Sequence, residues 1–98
     1  MKGNTRIIRE HQATIGRYSL DTGSDQPAII SYTRPRAGVI YLTFARIDGG
    51  KAGKAQARAL IDAVIEDARA NNNRIVLANR QVEEMFGTDP HLQAHRVA

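Results

Sequence analysis

Apolar residues recur at helical spacing through the middle of the chain. Between Gly53 and Arg69 they fall three and four positions apart, which predicts an amphipathic helix. Strand-like apolar runs flank it, Val39–Phe44 before the helix and Arg74–Ala78 after it. A strand, a crossover helix and a second strand predict a parallel βαβ unit. The residues expected on the buried helix face are Ala57, Leu60, Ile61, Val64 and Ala68.

Upstream of this unit, β-branched and aromatic residues alternate partly with polar ones. The pattern predicts strands at Thr14–Leu20 and Ala28–Thr33, and a short edge strand at Arg6–Arg9. Turn-forming residues separate the strands at Asp21–Pro27 and Arg34–Gly38. The chain is therefore predicted to be an α/β domain, with N-terminal antiparallel strands followed by the βαβ unit.

Downstream, Asn71–Asn73 is expected to end the long helix, because Asn tolerates the left-handed conformation. Asn79 is expected to cap a short C-terminal helix that ends at Phe86. We predict one domain over residues 1–98, with a loose N-terminus at residues 1–5 and a loose tail at residues 91–98. The residues of the short helix predicted to point inward are Val82, Met85 and Phe86.

The start of the long helix breaks a local rule. A helix N-terminus carries a partial positive charge and favours Asp or Glu, yet Lys51 and Lys54 lie there. The loop Asp48–Lys54 contains glycines, and unpaired helix N–H groups beside lysines can bind an anion. Two lysines solvated on a loop explain the pattern equally well.

Composition limits the function classes. The chain has 14 Lys and Arg against 10 Asp and Glu, which favours anionic partners such as phosphate-bearing cofactors or nucleic acid. It has no cysteine, which excludes disulfides and thiolate metal sites. No apolar run approaches the roughly 20 residues of a membrane helix and no signal-peptide core is evident, so the cytoplasm is the default location.

The order of elements resembles the short single-domain members of the GNAT superfamily of N-acetyltransferases, over roughly Ile15 to Leu92. The resemblance implies a site for acetyl-coenzyme A or another acyl-coenzyme A. The family motif Q/R-x-x-G-x-G/A, whose backbone N–H groups hold the cofactor pyrophosphate, falls on Ala52–Ala57. Alanines replace both glycines of the motif.

A second family motif, N-x-x-A-x-x-x-Y, falls on Asn79–Phe86, where Phe86 replaces the tyrosine that often protonates the leaving thiolate. The resemblance implies that Asn79 touches the pantetheine arm and that a backbone N–H near Ile47 polarises the thioester. The acceptor is an unidentified amine, and no catalytic residue is assigned. The residues expected to bind the cofactor are Ile47, Lys51, Gly53, Lys54, Ala55, Gln56, Ala57, Arg58 and Asn79.

Two other function classes stay open, a non-catalytic interaction protein with this fold and a nucleic-acid-binding module. Eleven arginines could contact phosphates and three tyrosines could stack bases. The arginines are spread along the chain, however, so a solvated basic surface explains them better. His11, His91, His95 and the helix carboxylates are predicted to be solvated, and no metal site is predicted.

Overall fold

The computed structural model describes residues 7–20, 27–47 and 50–96, except for the side chains of residues 50–52. Within these ranges the chain forms a five-stranded sheet and three helices. The strands are β1 (Ile7–His11), β2 (Ile15–Leu20), β3 (Ala28–Arg36), β4 (Val39–Arg46) and β5 (Arg74–Leu77). The helices are α1 (Gly50–Ala70), α2 (Arg80–Phe86) and α3 (Pro90–Gln93).

The strands lie in the sheet in chain order, and the sheet is mixed. The pairs from β1 to β4 are antiparallel, and β4 pairs with β5 in parallel across the α1 crossover. This confirms the predicted α/β class and the predicted βαβ unit. The turn expected at Arg34–Gly38 is shorter than predicted, because β3 continues to Arg36, which pairs with Val39. Gly38 has a φ of 87°, a conformation that favours glycine in so tight a turn.

Helix α1 begins at Gly50, three residues earlier than the apolar spacing predicts. The expected Gly/Lys loop is therefore helical from Gly50 onward, and Asp48 and Gly49 lie outside the described residues. At the other end, Asn72 adopts a φ of 57°, which confirms asparagine as the stop signal. No helix in the described ranges is both long and apolar enough to cross a membrane.

One hydrophobic core lies between the sheet and the helices. Alternate residues of each strand point into it, among them Ile30 and Leu42. The apolar face of α1 covers them as predicted, with Leu60 and Val64 fully buried. Each such side chain contributes about 1.5–3 kcal/mol when it leaves water. The strand residues of this core cluster lie on one side of the sheet, so the described residues form two layers.

The C-terminal segment is ordered through Arg96, in contrast to the predicted loose tail. Asp89 caps α3, Leu92 is fully buried, and Arg96 forms a parallel bridge with Ile75 of β5. A single buried leucine and an N-cap are enough to fix so short a segment against α1. Residues 1–5 and 97–98 lie outside the described ranges.

Helix α2 follows its prediction closely. Asn79 caps it, and Val82 and Phe86 are buried. Met85 is exposed, so its predicted inward orientation is wrong. The helix has only two turns, and two inward side chains fill the space it covers.

Candidate functional site

The two parallel strands part at their carboxyl ends. β5 pairs with β4 only as far as Leu77, which lies opposite Leu42, whereas β4 continues to Arg46. Beyond Thr43, β4 therefore has no strand on that side within the described part of the chain. In open α/β sheets, ligands bind outside the carboxyl ends of parallel strands, where connections diverge.

The first turn of α1 follows the end of β4. The N–H groups of its first three residues, 50–52, have no partner within the helix. The first turn carries no acidic side chain, and Lys54 is exposed just after it. The positive end of the helix dipole and the charge of Lys54 therefore lie close together. This arrangement costs about 0.3–1 kcal/mol when no ligand is bound, but it favours the binding of an anion.

The helix start moves the anion-binding donors relative to the predicted motif. The N–H groups of Ala55, Gln56 and Ala57 lie in the second turn, where they bond to carbonyls of the first turn. The donors available to a phosphate are those of residues 50–52, and Gly53 follows them as a buried residue. Gln56 differs from the two alanines, because its side-chain Oε1 is buried and has no hydrogen-bond partner in the described part of the chain.

Asn79 lies at the place where β4 and β5 separate. Its Oδ1 accepts a hydrogen bond from the N–H of Val82 at 2.8 Å, which caps α2. Its Nδ2 donates to the carbonyl of Thr43 in β4. The amide predicted to touch the pantetheine arm thus also joins β4 to α2, at the point where an extended ligand would enter.

Arg58 lies one turn further along α1, and its guanidinium is occupied. It contacts Asp62 Oδ1 at 2.5 Å and Asp89 Oδ2 at 2.7 Å. Burial acts to raise the pKa of Asp89, but hydrogen bonds from His91 N–H and from Arg58 outweigh it and lower that pKa below its ordinary value. Arg58, predicted to bind the cofactor, joins α1 to the start of α3.

The predicted site residues are thus only partly brought together. Ile47 follows β4 and packs partly buried on the core, and Gly53 and Lys54 lie in or beside the first turn of α1. The side chain of Lys51 lies outside the described residues. Within the described ranges, no three His, Asp or Glu side chains are close enough to hold a metal ion.

A second polar cluster lies near the other end of α1, and the sequence did not predict it. His11 is exposed as predicted, with 42% of its side-chain surface accessible, but it ends strand β1 instead of lying in a loop, and its Nδ1 lies 2.5 Å from the hydroxyl of Tyr32. Asp67 accepts hydrogen bonds from the hydroxyl of Tyr18 at 2.9 Å and from Arg9 Nε at 2.8 Å, so it is not merely a solvated helix carboxylate. Strand register brings these residues to the helix-covered side of β1, β2 and β3.

This cluster is internally satisfied. The Tyr18 ring packs edge-on to His11 and beneath Arg9, and burial together with the Asp67 hydrogen bond raises the pKa of Tyr18. Burial likewise raises the pKa of Tyr32. Both hydroxyls therefore stay protonated near neutral pH. A cavity of about 180 Å³ beside them leaves little space for a ligand, so the cluster is best explained as a clamp between α1 and the sheet.

Comparisons with models of protein families, with curated proteins and with solved structures find no match to this chain. Any assignment of function therefore depends on the residues of this chain and their geometry.

Proposed function

We propose that this chain is a GNAT-like protein that binds acetyl-coenzyme A or another acyl-coenzyme A where β4 ends and α1 begins. The observation that carries the proposal is the divergence of the parallel strands β4 and β5 beside a helix start that lacks acidic residues. A coenzyme A molecule has both features that such a place recognises. Its pyrophosphate is an anion for the helix start, and its pantetheine arm carries amides that can pair with a free strand edge.

The strand order supports the family resemblance. Four antiparallel strands are followed by one parallel strand reached through a long helix, and a short helix follows β5, as the resemblance implies. Because the free donors are those of residues 50–52, the alanines that replace the motif glycines do not prevent binding of a phosphate. Gly50 and Gly53 then occupy the first turn, where close approach of a phosphate matters most, and the alanines at 55 and 57 lie outside it.

The proposed reaction is direct transfer of the acyl group to an amine. The amine nitrogen attacks the thioester carbonyl and forms a carbon–nitrogen bond, and the carbon–sulfur bond breaks. The nitrogen loses one proton, and coenzyme A leaves as a thiolate that takes one up. A backbone N–H near Ile47 stabilises the developing oxyanion. Phe86 lacks a hydroxyl and is 3% exposed in the core, so it offers no acid for the thiolate. We therefore expect turnover about 10²–10⁴ slower than with a positioned acid.

The first test is calorimetric titration of the full chain with acetyl-coenzyme A. Replacing Lys54 by Glu, alone and together with Lys51→Glu, reverses charge at the helix start. The double variant should bind at least about tenfold more weakly, a loss of about 1.4 kcal/mol. Arg69→Glu is the matched control, because it reverses the same charge about 24 Å along the helix from Gly53.

The second test separates binding from catalysis. Single-turnover release of the thiol is followed with a panel of small amines at saturating acetyl-coenzyme A. Binding with slow, amine-dependent thiol release supports the whole proposal, and binding without release reduces it to a non-catalytic acyl-coenzyme A protein. Absence of binding, or equal weakening by Arg69→Glu, contradicts the proposed site.

A further inference from the structure

A cavity of about 520 Å³, which we call the basic cavity, lies at the end of the sheet opposite the proposed acyl-coenzyme A site. The turns from β1 to β2, from β3 to β4 and from α1 to β5 meet there. A volume of this size is typical of sites for small ligands. The lining of the basic cavity includes Thr14, Arg34, Arg36, Gly38, Asn71 and Asn73.

The charges around the basic cavity have one sign. No carboxylate of the described residues lines it. Asp67 lines the smaller cavity beside it, but Arg9 already neutralises that carboxylate at 2.8 Å. Arg34 and Arg36 form no ion pair within the described part of the chain. Their uncompensated charges therefore concentrate positive potential in the cavity.

Arg34 is the group best placed to bind a ligand there. Its backbone N–H donates to the carbonyl of Thr14 at 2.6 Å, which fixes the residue beside the first turn. The residue is half-buried, yet its guanidinium donates only one long hydrogen bond within the described ranges, to the carbonyl of Ala13 at 3.4 Å. Burial raises the pKa of Tyr32 and the charge of Arg34 opposes this rise, so the guanidinium lies near that hydroxyl. Its free N–H groups can bind two oxygens of an anion.

Asparagines after α1 complete the lining of the basic cavity. Asn73 is half-buried, and its side-chain amide has no hydrogen-bond partner among the described residues. The N–H groups of Asn71 and Asn73 bond to the carbonyls of Asp67 and Ala68 in the last turn of α1. These bonds reduce the partial negative charge that the helix end presents to an anion.

The number of charges and donors decides between two kinds of anion. A carboxylate has one charge and two oxygens, which a single arginine can satisfy. Here a second arginine and the Asn73 amide are left over. A phosphate monoester has about −1.5 to −2 charges near neutral pH and three acceptor oxygens, so it uses all three groups.

We propose that the basic cavity binds a phosphate group, either inorganic phosphate or the phosphate monoester of a small molecule. Arg34 binds two phosphate oxygens, Asn73 donates to the third, and Arg36 supplies the second positive charge. The cavity lies about 30 Å along α1 from Gly50, so this binding is independent of the proposed acyl-coenzyme A site.

The test is amide NMR of the full chain titrated with inorganic phosphate, glycerol 3-phosphate or acetate, at about pH 7.5 and constant ionic strength. Both phosphates should give saturable shifts at residue 14, residues 34–38 and residues 71–73. We expect a dissociation constant of about 1 mM or lower for the preferred phosphate. Acetate should bind at least about tenfold more weakly, because it lacks the second charge and the third oxygen.

Substitutions separate specific contacts from overall charge. Arg34→Gln should weaken phosphate binding at least about tenfold, and Arg34→Lys should weaken it less, because it keeps the charge but loses the paired donors. Asn73→Ala should cost about threefold and leaves the arginines unchanged. Arg46→Gln is the matched control, because Arg46 is exposed at the far end of β4 and has no ion pair among the described residues. Circular dichroism checks that each variant folds.

The preferred phosphate identifies the source of the ligand. Tighter binding of glycerol 3-phosphate assigns a phosphate monoester, and equal or tighter binding of inorganic phosphate assigns the free ion. Three results overturn the proposal. They are the absence of saturable shifts around the basic cavity, including shifts confined to residues 50–54, equal affinity for acetate, and equal weakening by Arg46→Gln and Arg34→Gln.

Discussion

Replacing Asp67 by Ala is the sharpest test of the clamp between α1 and the first strands. The Asp67 carboxylate is 27% exposed and accepts hydrogen bonds from the Arg9 guanidinium of β1 and the Tyr18 hydroxyl of β2. Both residues are far from Asp67 in the sequence. Tyr18 itself is only 3% exposed. Its hydroxyl would therefore lose its acceptor at a position that water reaches poorly.

The magnitude follows from the two lost contacts. A buried hydroxyl without a partner costs about 1–3 kcal/mol. The partly exposed ion pair of Arg9 with Asp67 adds at most about 1 kcal/mol. We therefore expect Asp67→Ala to lower the free energy of unfolding by about 1–4 kcal/mol, which lowers the melting temperature by about 4–32 °C for a domain of this size.

Urea unfolding at neutral pH, followed by far-ultraviolet circular dichroism, measures the change. Asp62→Ala is the control, because Asp62 is exposed on the same helix and, among the described residues, pairs with Arg58 alone. It should therefore cost about 0.5 kcal/mol or less. Adding Tyr18→Phe to Asp67→Ala removes the orphaned hydroxyl. The double variant should therefore be more stable than the sum of the single changes by about 1 kcal/mol. Additive losses, or equal losses for Asp67→Ala and Asp62→Ala, would refute the clamp.

Three further outcomes follow from the structure. Because the pKa of Tyr18 is raised in the fold, the stability that its protonated hydroxyl contributes is complete below about pH 10 and is lost above it. The free energy of unfolding of the wild type should therefore fall more steeply at alkaline pH than that of Tyr18→Phe, and parallel curves would contradict this. Gly16→Ala should cost about 1–3 kcal/mol, since a Cβ there overlaps the Tyr32 ring, and removing the ring with Tyr32→Ala should make the two changes less than additive in urea unfolding. Phe86→Tyr should lower stability by about 1–3 kcal/mol without raising thiol release, because its hydroxyl would be buried; faster release would show that residue 86 faces the thioester.

The periodicity of the sequence predicted the elements that bury apolar residues locally. The spacing of Leu60, Ile61 and Val64 defined α1, and the Asn79 cap defined α2. The start of α1 was placed too late, because Gly50–Ala52 add most of one helical turn without large apolar side chains to mark it. The order of the C-terminal segment was missed although Asp89 and Pro90 form a helix-start signal, an N-cap followed by proline.

The polar contacts could not be predicted in the same way. Arg9 and Asp67 are separated by 58 positions, and neither position is unusual within its own element. Their contact depends on the register between β1 and β2 and on the rotation of α1 over the sheet. The same holds for Arg17, Ser31 and Phe44, which become neighbours only through strand pairing.

The site at the start of α1 is tested most directly by amide NMR of the full chain titrated with acetyl-coenzyme A. The account predicts saturable shifts of the amides of residues 50–54 and of residues 44–47 at the end of β4, with smaller shifts at Asn79. The amides of β1 and of the last turn of α1 should stay unchanged. Shifts confined to the His11 and Tyr32 cluster or to Arg17 and its neighbours, or no shifts at saturating cofactor, would contradict it.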